Sequence, residues 1–148
     1  MKALFSAAIL SLCLYAGVAP AEPTEKDAVA LVEKGALFMR HHGMDQMINK
    51  INTHDPEFHA GALYLAMFGM DGIAVAHPTT ALIGKNLLDV PDADGKLFRR
   101  EMIALALGKG SGWVEYKFMN PVSGKVELKT TYVLRVGDVA LEAGIYRH

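Results

Sequence analysis

The chain has 148 residues, 51% of them hydrophobic and 21% charged, with 15 basic residues against 16 acidic ones. That length suits one domain able to bury a core of its own. The near-neutral balance, without a basic patch or charge run, excludes nucleic acid as an expected partner, and only the N-terminus carries a long uncharged apolar stretch.

Lys2 opens the chain with a positive charge. Residues 3–18 carry no charge, and Leu4, Phe5, Ile9, Leu10, Leu12 and Leu14 make an apolar run. Ala19-Pro20-Ala21 then places small residues at the two positions a signal peptidase reads. This tripartite pattern predicts a cleaved secretory signal over 1–21 and a single mature domain over 22–148 in the periplasm. Ser6, Ser11, Gly17 and Pro20 argue against an uncleaved spanning helix, which needs about 20 apolar residues. Cys13 leaves with the signal, so the mature chain has neither thiol nor disulfide. Lys2 leaves too, and 14 basic residues then face 16 acidic ones, a net charge of −2.

Pro23-Thr24 opens a first helix, with Thr24 as its cap and Asp27 at the capping-box position. Ala28, Leu31, Val32, Ala36 and Met39 recur at helical spacing and predict one buried stripe, which Gly43 ends. Met44, Met47, Ile48 and Ile51 share a face of a second helix, stopped at His54-Asp55-Pro56. The period then changes. Residues 62–70 and 73–78 are short apolar runs on either side of Asp71-Gly72, which predicts a hairpin with a type I′ turn. Residues 79–95 form a loop-rich connection. Residues 96–107 form a third helix, with Phe98, Met102, Leu105 and Ala106 on one side. Three strands close the chain, over 112–118, 125–136 and 139–147, joined by turns at 120–124 and at Gly137-Asp138. The order α-α-β-β-α-β-β-β predicts an α+β domain. Its expected core is a five-stranded antiparallel sheet with helices packed on it and a small pocket between sheet and middle crossover, a PAS-like layout.

Several short segments in this order then become informative together. They are Leu63-Tyr64-Leu65 leading to Asp71-Gly72, Ala76-His77-Pro78, Gly84-Lys85-Asn86-Leu87 and Asp94-Gly95. Residues 110–116, Asn120-Pro121, residues 129–133 and Gly144-Ile145-Tyr146 complete them. On these the chain resembles the bacterial single Cache domain family, extracellular PAS-like sensor modules. The resemblance implies capture of a small metabolite, such as a carboxylate or amino acid, for a membrane receptor, sensor kinase or transporter. Family members typically sit between two transmembrane helices. A cleavable signal and an end at His148 give the expectation of a stand-alone periplasmic protein that needs a partner to pass on a signal. A homodimer is a further candidate assembly. The alternative is a protein-interaction module with a vestigial pocket.

The expected ligand-binding residues are His77, Tyr116, Lys129, Tyr132, Tyr64 and Trp113. His77 falls at the pocket mouth, where an imidazole donates to a carboxylate or is satisfied by the turn. Lys129 with Tyr116 suits an anion through a point charge and a phenol donor. Strand alternation puts residues 129 and 132 on opposite faces, so both line one pocket only across a bulge. Tyr116 shares its face with Val114 and Phe118. Trp113 lies on the opposite face, under a helix or on a partner surface. Tyr64 points into the pocket or into the core.

No metal site and no cofactor are expected. Adjacent His41 and His42 lack the i, i+4 spacing that zinc prefers. Asp89, Asp92 and Asp94 lack the terminal Glu of a calcium loop and read as turn formers. Without a thiol, a nucleophile elbow, a phosphate loop or suitably spaced carboxylates, no catalytic residue is expected.

Overall fold

Helix α1 (Glu25–His42) begins where the chain supplies its own cap. The Thr24 hydroxyl accepts from the Asp27 amide, and the Asp27 carboxylate accepts from the Thr24 amide at 2.8 Å. Such a cap contributes about 1 kcal/mol. Glu25 and Asp27 in the first turn, and Arg40, His41 and His42 in the last, oppose the helix dipole. Gly43, at φ +86°, ends α1 and leads into α2 (Met44–Asn52). The computed structural model describes residue 17 and residues 19–147, so the rest of the expected signal segment lies outside the described residues. Among the described residues no helix is long and apolar enough to cross a membrane.

The strands are β1 (His59–Ala60), β2 (Leu63–Gly69), β3 (Ala74–Ala76), β4 (Ser111–Met119), β5 (Val126–Val136) and β6 (Val139–Arg147), with α3 (Phe98–Gly108) between β3 and β4. They form one antiparallel sheet in the order β1-β2-β6-β5-β4, with β3 also on β2. This is the expected sheet with one addition, the two-residue β1 beside β2. Alternation divides the sheet into two faces. Leu65, Met67 and Leu141 face α1 and α2, against Ala28, Val32, Ala36, Met47 and Ile51. Val114, Tyr116, Val133 and Ala140 face α3, against Phe98, Met102 and Ala106.

The first hairpin turn departs from the expectation. Only Gly72 is left-handed, at φ +83°. The Gly72 amide donates to the Gly69 carbonyl, and the Gly69 amide donates to the Ile73 carbonyl. Residues 70–72 therefore form a three-residue loop closed by a left-handed glycine, not a type I′ turn. Asp71 stays at negative φ because its carboxylate accepts from the Ile73 amide at 3.0 Å. The two-residue turn at Gly137-Asp138 does form, between paired Val136 and Val139.

Candidate functional site

The crossover from β3 to α3 is fastened along the free edge of β4. Asp92 accepts from the amides of Asp94 and Lys96, each at 2.9 Å, and from the Lys117 amide on β4 at 2.9 Å. Lys96 Nζ donates to the Glu115 carbonyl at 2.6 Å. One carboxylate thus satisfies a loop and a strand edge together, which also protects that edge. The same bonds deliver the first turn of α3 to the inner face of the sheet.

Between α3 and the sheet lies a cavity of about 20 Å³, counted as space open to the centre of a water molecule. That is room for roughly one water. Period-2 alternation supplies most of its wall: Tyr64, Ala66 and Phe68 from β2, Tyr116 and Phe118 from β4, Lys129 and Thr131 from β5, Glu142 and Gly144 from β6. Phe98 and Arg99 close it from α3, and His77 from the end of β3.

Two cations are buried here. Lys129 is 3% exposed; its ammonium donates to Tyr64 Oη at 2.9 Å and lies 4.1 Å from the Tyr64 ring centre and 4.9 Å from that of Tyr146. Arg99 is 6% exposed, with its guanidinium 4.2 Å from the Phe98 ring centre and 5.7 Å from that of Phe68. Cation–π contacts offset part of the cost of burying these charges. Neither cation has an ion-pair partner among the described residues, and Arg99 makes no hydrogen bond among them. A buried guanidinium offers a planar fork of donors suited to a carboxylate.

His77 is neutral. Burial, then the charges of Lys129 and Arg99, push its pKa down from 6.5 to about 3. The Thr79 amide donates to His77 Nδ1 at 2.8 Å, so the ring proton sits on Nε2 and is a further donor. Tyr116 stacks on Phe98 with ring centres 3.9 Å apart, and its hydroxyl pairs with Thr131 at 3.0 Å. Burial raises the Tyr116 pKa, so the phenol keeps its proton. The only carboxyl in the wall is Glu142, whose pKa burial pushes up from 4.5 to about 7 against the pull of Arg99 and Lys129. The space for Lys129 and Thr131 depends on Gly144: a Cβ there would collide with Thr131 Oγ1 and meet Lys129 Cε at 2.8 Å.

Of the six residues expected at the pocket, Tyr64, His77, Tyr116 and Lys129 line the cavity. Tyr132 and Trp113 do not line it. The pairing of β5 with β6 runs unbroken from Leu128 to Val136, so no bulge brings residue 132 to the face of residue 129. Trp113 pairs with Tyr132 across the strands, and their rings lie 5.3 Å apart on the opposite face of the sheet. The reading of the sequence missed Arg99, Thr131, Glu142 and the three phenylalanines. Arg99 had a signal: residues 99, 102, 103 and 106 form the buried stripe of α3. Glu142 had one too, as the one charged residue within the apolar run of residues 139–145. Among the described residues no three metal-ligating side chains come together.

Comparison with known proteins agrees with this fold. A methyl-accepting chemotaxis protein from Vibrio parahaemolyticus superposes with a TM-score of 0.70 at 20% identity, covering 82% of this chain and 86% of that one. A periplasmic sensor domain of a chemotaxis protein gives 0.64 at 22% identity, with 83% and 90% covered. A Cache chemosensory domain solved for its recognition of carboxylic acids gives 0.64 at 23% identity, with 83% and 88% covered. No curated protein sequence matches the chain. Residues 39–140 match the family described as Single Cache domain 2. With the fold and most of the chain in agreement, this protein belongs to the single Cache domain family.

Proposed function

We propose that this protein is a periplasmic sensor-type binding protein for a small carboxylate. In this reading residues 1–21 export it and residues 22–148 form the binding domain. The observation that carries it is the pair of buried cations, Arg99 and Lys129, facing one cavity without an ion-pair partner. A ligand carboxylate supplies the missing anion. Arg99 holds it through two parallel N–H bonds, Lys129 adds a point charge, and His77 Nε2 adds a neutral donor. The phenylalanines exclude water and strengthen each of these contacts. The present cavity is small, so the ligand is small, or the crossover moves outward to admit it. Binding then pulls α3 and the crossover onto the sheet, and a membrane receptor, sensor kinase or transporter reads that shift. The solved Cache domain that recognises carboxylic acids makes this chemistry plausible for the fold.

The test is a thermal-shift panel of short carboxylates, their amides, amino acids and amines. A ligand that binds only the native state adds about 2.7 kcal/mol at a hundredfold excess over its Kd. Carboxylates are expected to raise the melting temperature and amides to leave it unchanged. A flat panel would favour the second reading, an interaction module. That reading draws on the tightness of the cavity and on exposed apolar side chains elsewhere, Met119 and Val122 among them.

A further inference from the structure

The cavity that faces an anion with two cations also contains a carboxyl, and this combination has a consequence for binding. Glu142 is 7% exposed, and it forms no hydrogen bond or ion pair with any described residue. The charged and titratable groups around it come from every wall: Arg99 from α3, Lys129 from β5, Tyr116 from β4, Tyr64 from β2 and His77 from the end of β3. His77 is held neutral there, and the guanidinium stays charged. Burial already leaves the Glu142 carboxyl poised near neutrality. Glu142 shares the wall of this cavity with Arg99 and Lys129, so a ligand carboxylate held by the two cations sits beside it. Two carboxylates side by side in one buried site do not both stay ionised; the like charge raises the pKa of the protein group further. A protonated Glu142 is also the better neighbour, because its O–H donates to the ligand where a carboxylate only repels it.

Resting on the carboxylate reading above, we propose that Glu142 is a specificity-determining residue that receives the ligand in its protonated form, so that each ligand anion bound above neutral pH takes up one proton. The balance is simple. Ionised Glu142, a ligand carboxylate and one proton from solvent give a complex with a neutral Glu142 and an ionised ligand. The ligand's own charge does not change, and no bond other than O–H is made. The same residue discriminates between ligand classes. An amino acid would place its ammonium against Glu142, favour the ionised form and bind without proton uptake. Protonation of Glu142 thus selects simple carboxylates, and the periplasm, whose pH follows the surroundings, sets how strongly.

The experiment is titration calorimetry of the purified protein with sodium acetate, in two buffers of different ionisation enthalpy, at about pH 6 and about pH 8. Binding that requires protonated Glu142 weakens by the fraction protonated, about tenfold between these two values. At about pH 8 the buffer dependence of the heat should report close to one proton taken up per acetate. E142Q, which mimics the protonated form, should bind acetate with no uptake and with nearly the same Kd at both pH values. Acetate binding in the wild type without proton uptake, or uptake that survives in E142Q, overturns this assignment and leaves the carboxylate reading standing. Absence of acetate and propionate binding at both pH values overturns both. The wild-type proton count stands without the variant, so a poorly folded E142Q does not remove the test.

Discussion

Acidification acts on two buried groups of the cavity in opposite directions, and the balance is measurable. Burial holds His77 neutral, with its pKa depressed from 6.5 to about 3. Its contribution to stability is present above 6.5 and is lost as the pH falls toward 3. Glu142 is raised from 4.5 to about 7. The folded state binds more protons than the unfolded one between those values, so stability increases as the pH falls from 7 toward 4.5. Between pH 7 and pH 5, His77 alone costs about 2 kcal/mol and Glu142 alone returns about 2 kcal/mol. His59, also lowered by burial, adds to the His77 side. Hydrogen bonds hold the carboxylates Asp27, Asp55, Glu57 and Asp92 below their ordinary values, so their contribution to stability is lost mainly at lower pH. Urea unfolding of the wild type at the two pH values should therefore give free energies within about 1 kcal/mol of each other. E142Q should lose about 2 kcal/mol on the same acidification, and H77Q should gain about 2 kcal/mol. Equal pH slopes in the two variants would refute the argument, because they would show that neither group is buried in the protonation state assigned to it.

Other outcomes follow from particular contacts. R99A removes the carboxylate fork, and carboxylate affinity measured by calorimetry should fall by at least about a hundredfold; unchanged affinity would eliminate Arg99 as the anchor. G144A drives a Cβ into Thr131 and Lys129, so it should lower the melting temperature by several degrees and weaken binding, as read by thermal shift with and without ligand. D92A releases the crossover from β4, and hydrogen exchange at the Lys96 and Lys117 amides should accelerate; preserved protection would show that the crossover is held by other means. Y132F and W113A act on the far face of the sheet and should leave ligand affinity within about twofold of the wild type.

Much of this was legible in the sequence because glycines and apolar periods punctuate it so regularly. Thr24 and Asp27 marked the start of α1, Gly43 marked its end, and the two-residue spacing of Gly137-Asp138 fixed the β5–β6 register. Period-2 alternation also placed Tyr116 with Val114 and Phe118, and these residues do face α3. The same rule put residues 129 and 132 on opposite faces, and the structure follows that rule over the resemblance that joined them. Asp71-Gly72 was misread because Asp71 bonds Ile73 through its side chain, which a dipeptide alone does not reveal. Arg99 was obscured by its setting, beside Arg100 and close to Lys96 in the charged start of the third helix. Only the position of α3 against the sheet separates the buried cation from the exposed one. Glu142 was hidden for a related reason. Its burial depends on which face of β6 meets α3, and that is decided by packing between segments distant in sequence.

The most direct test of the central claim is a crystal structure of the protein grown or soaked with acetate or propionate. The ligand carboxylate should lie in the cavity between α3 and the sheet. Both of its oxygens should lie within hydrogen-bond distance of Arg99, with Lys129 Nζ and His77 Nε2 completing the contacts. A ligand bound elsewhere, or a cavity that holds only water while calorimetry registers binding, would contradict it.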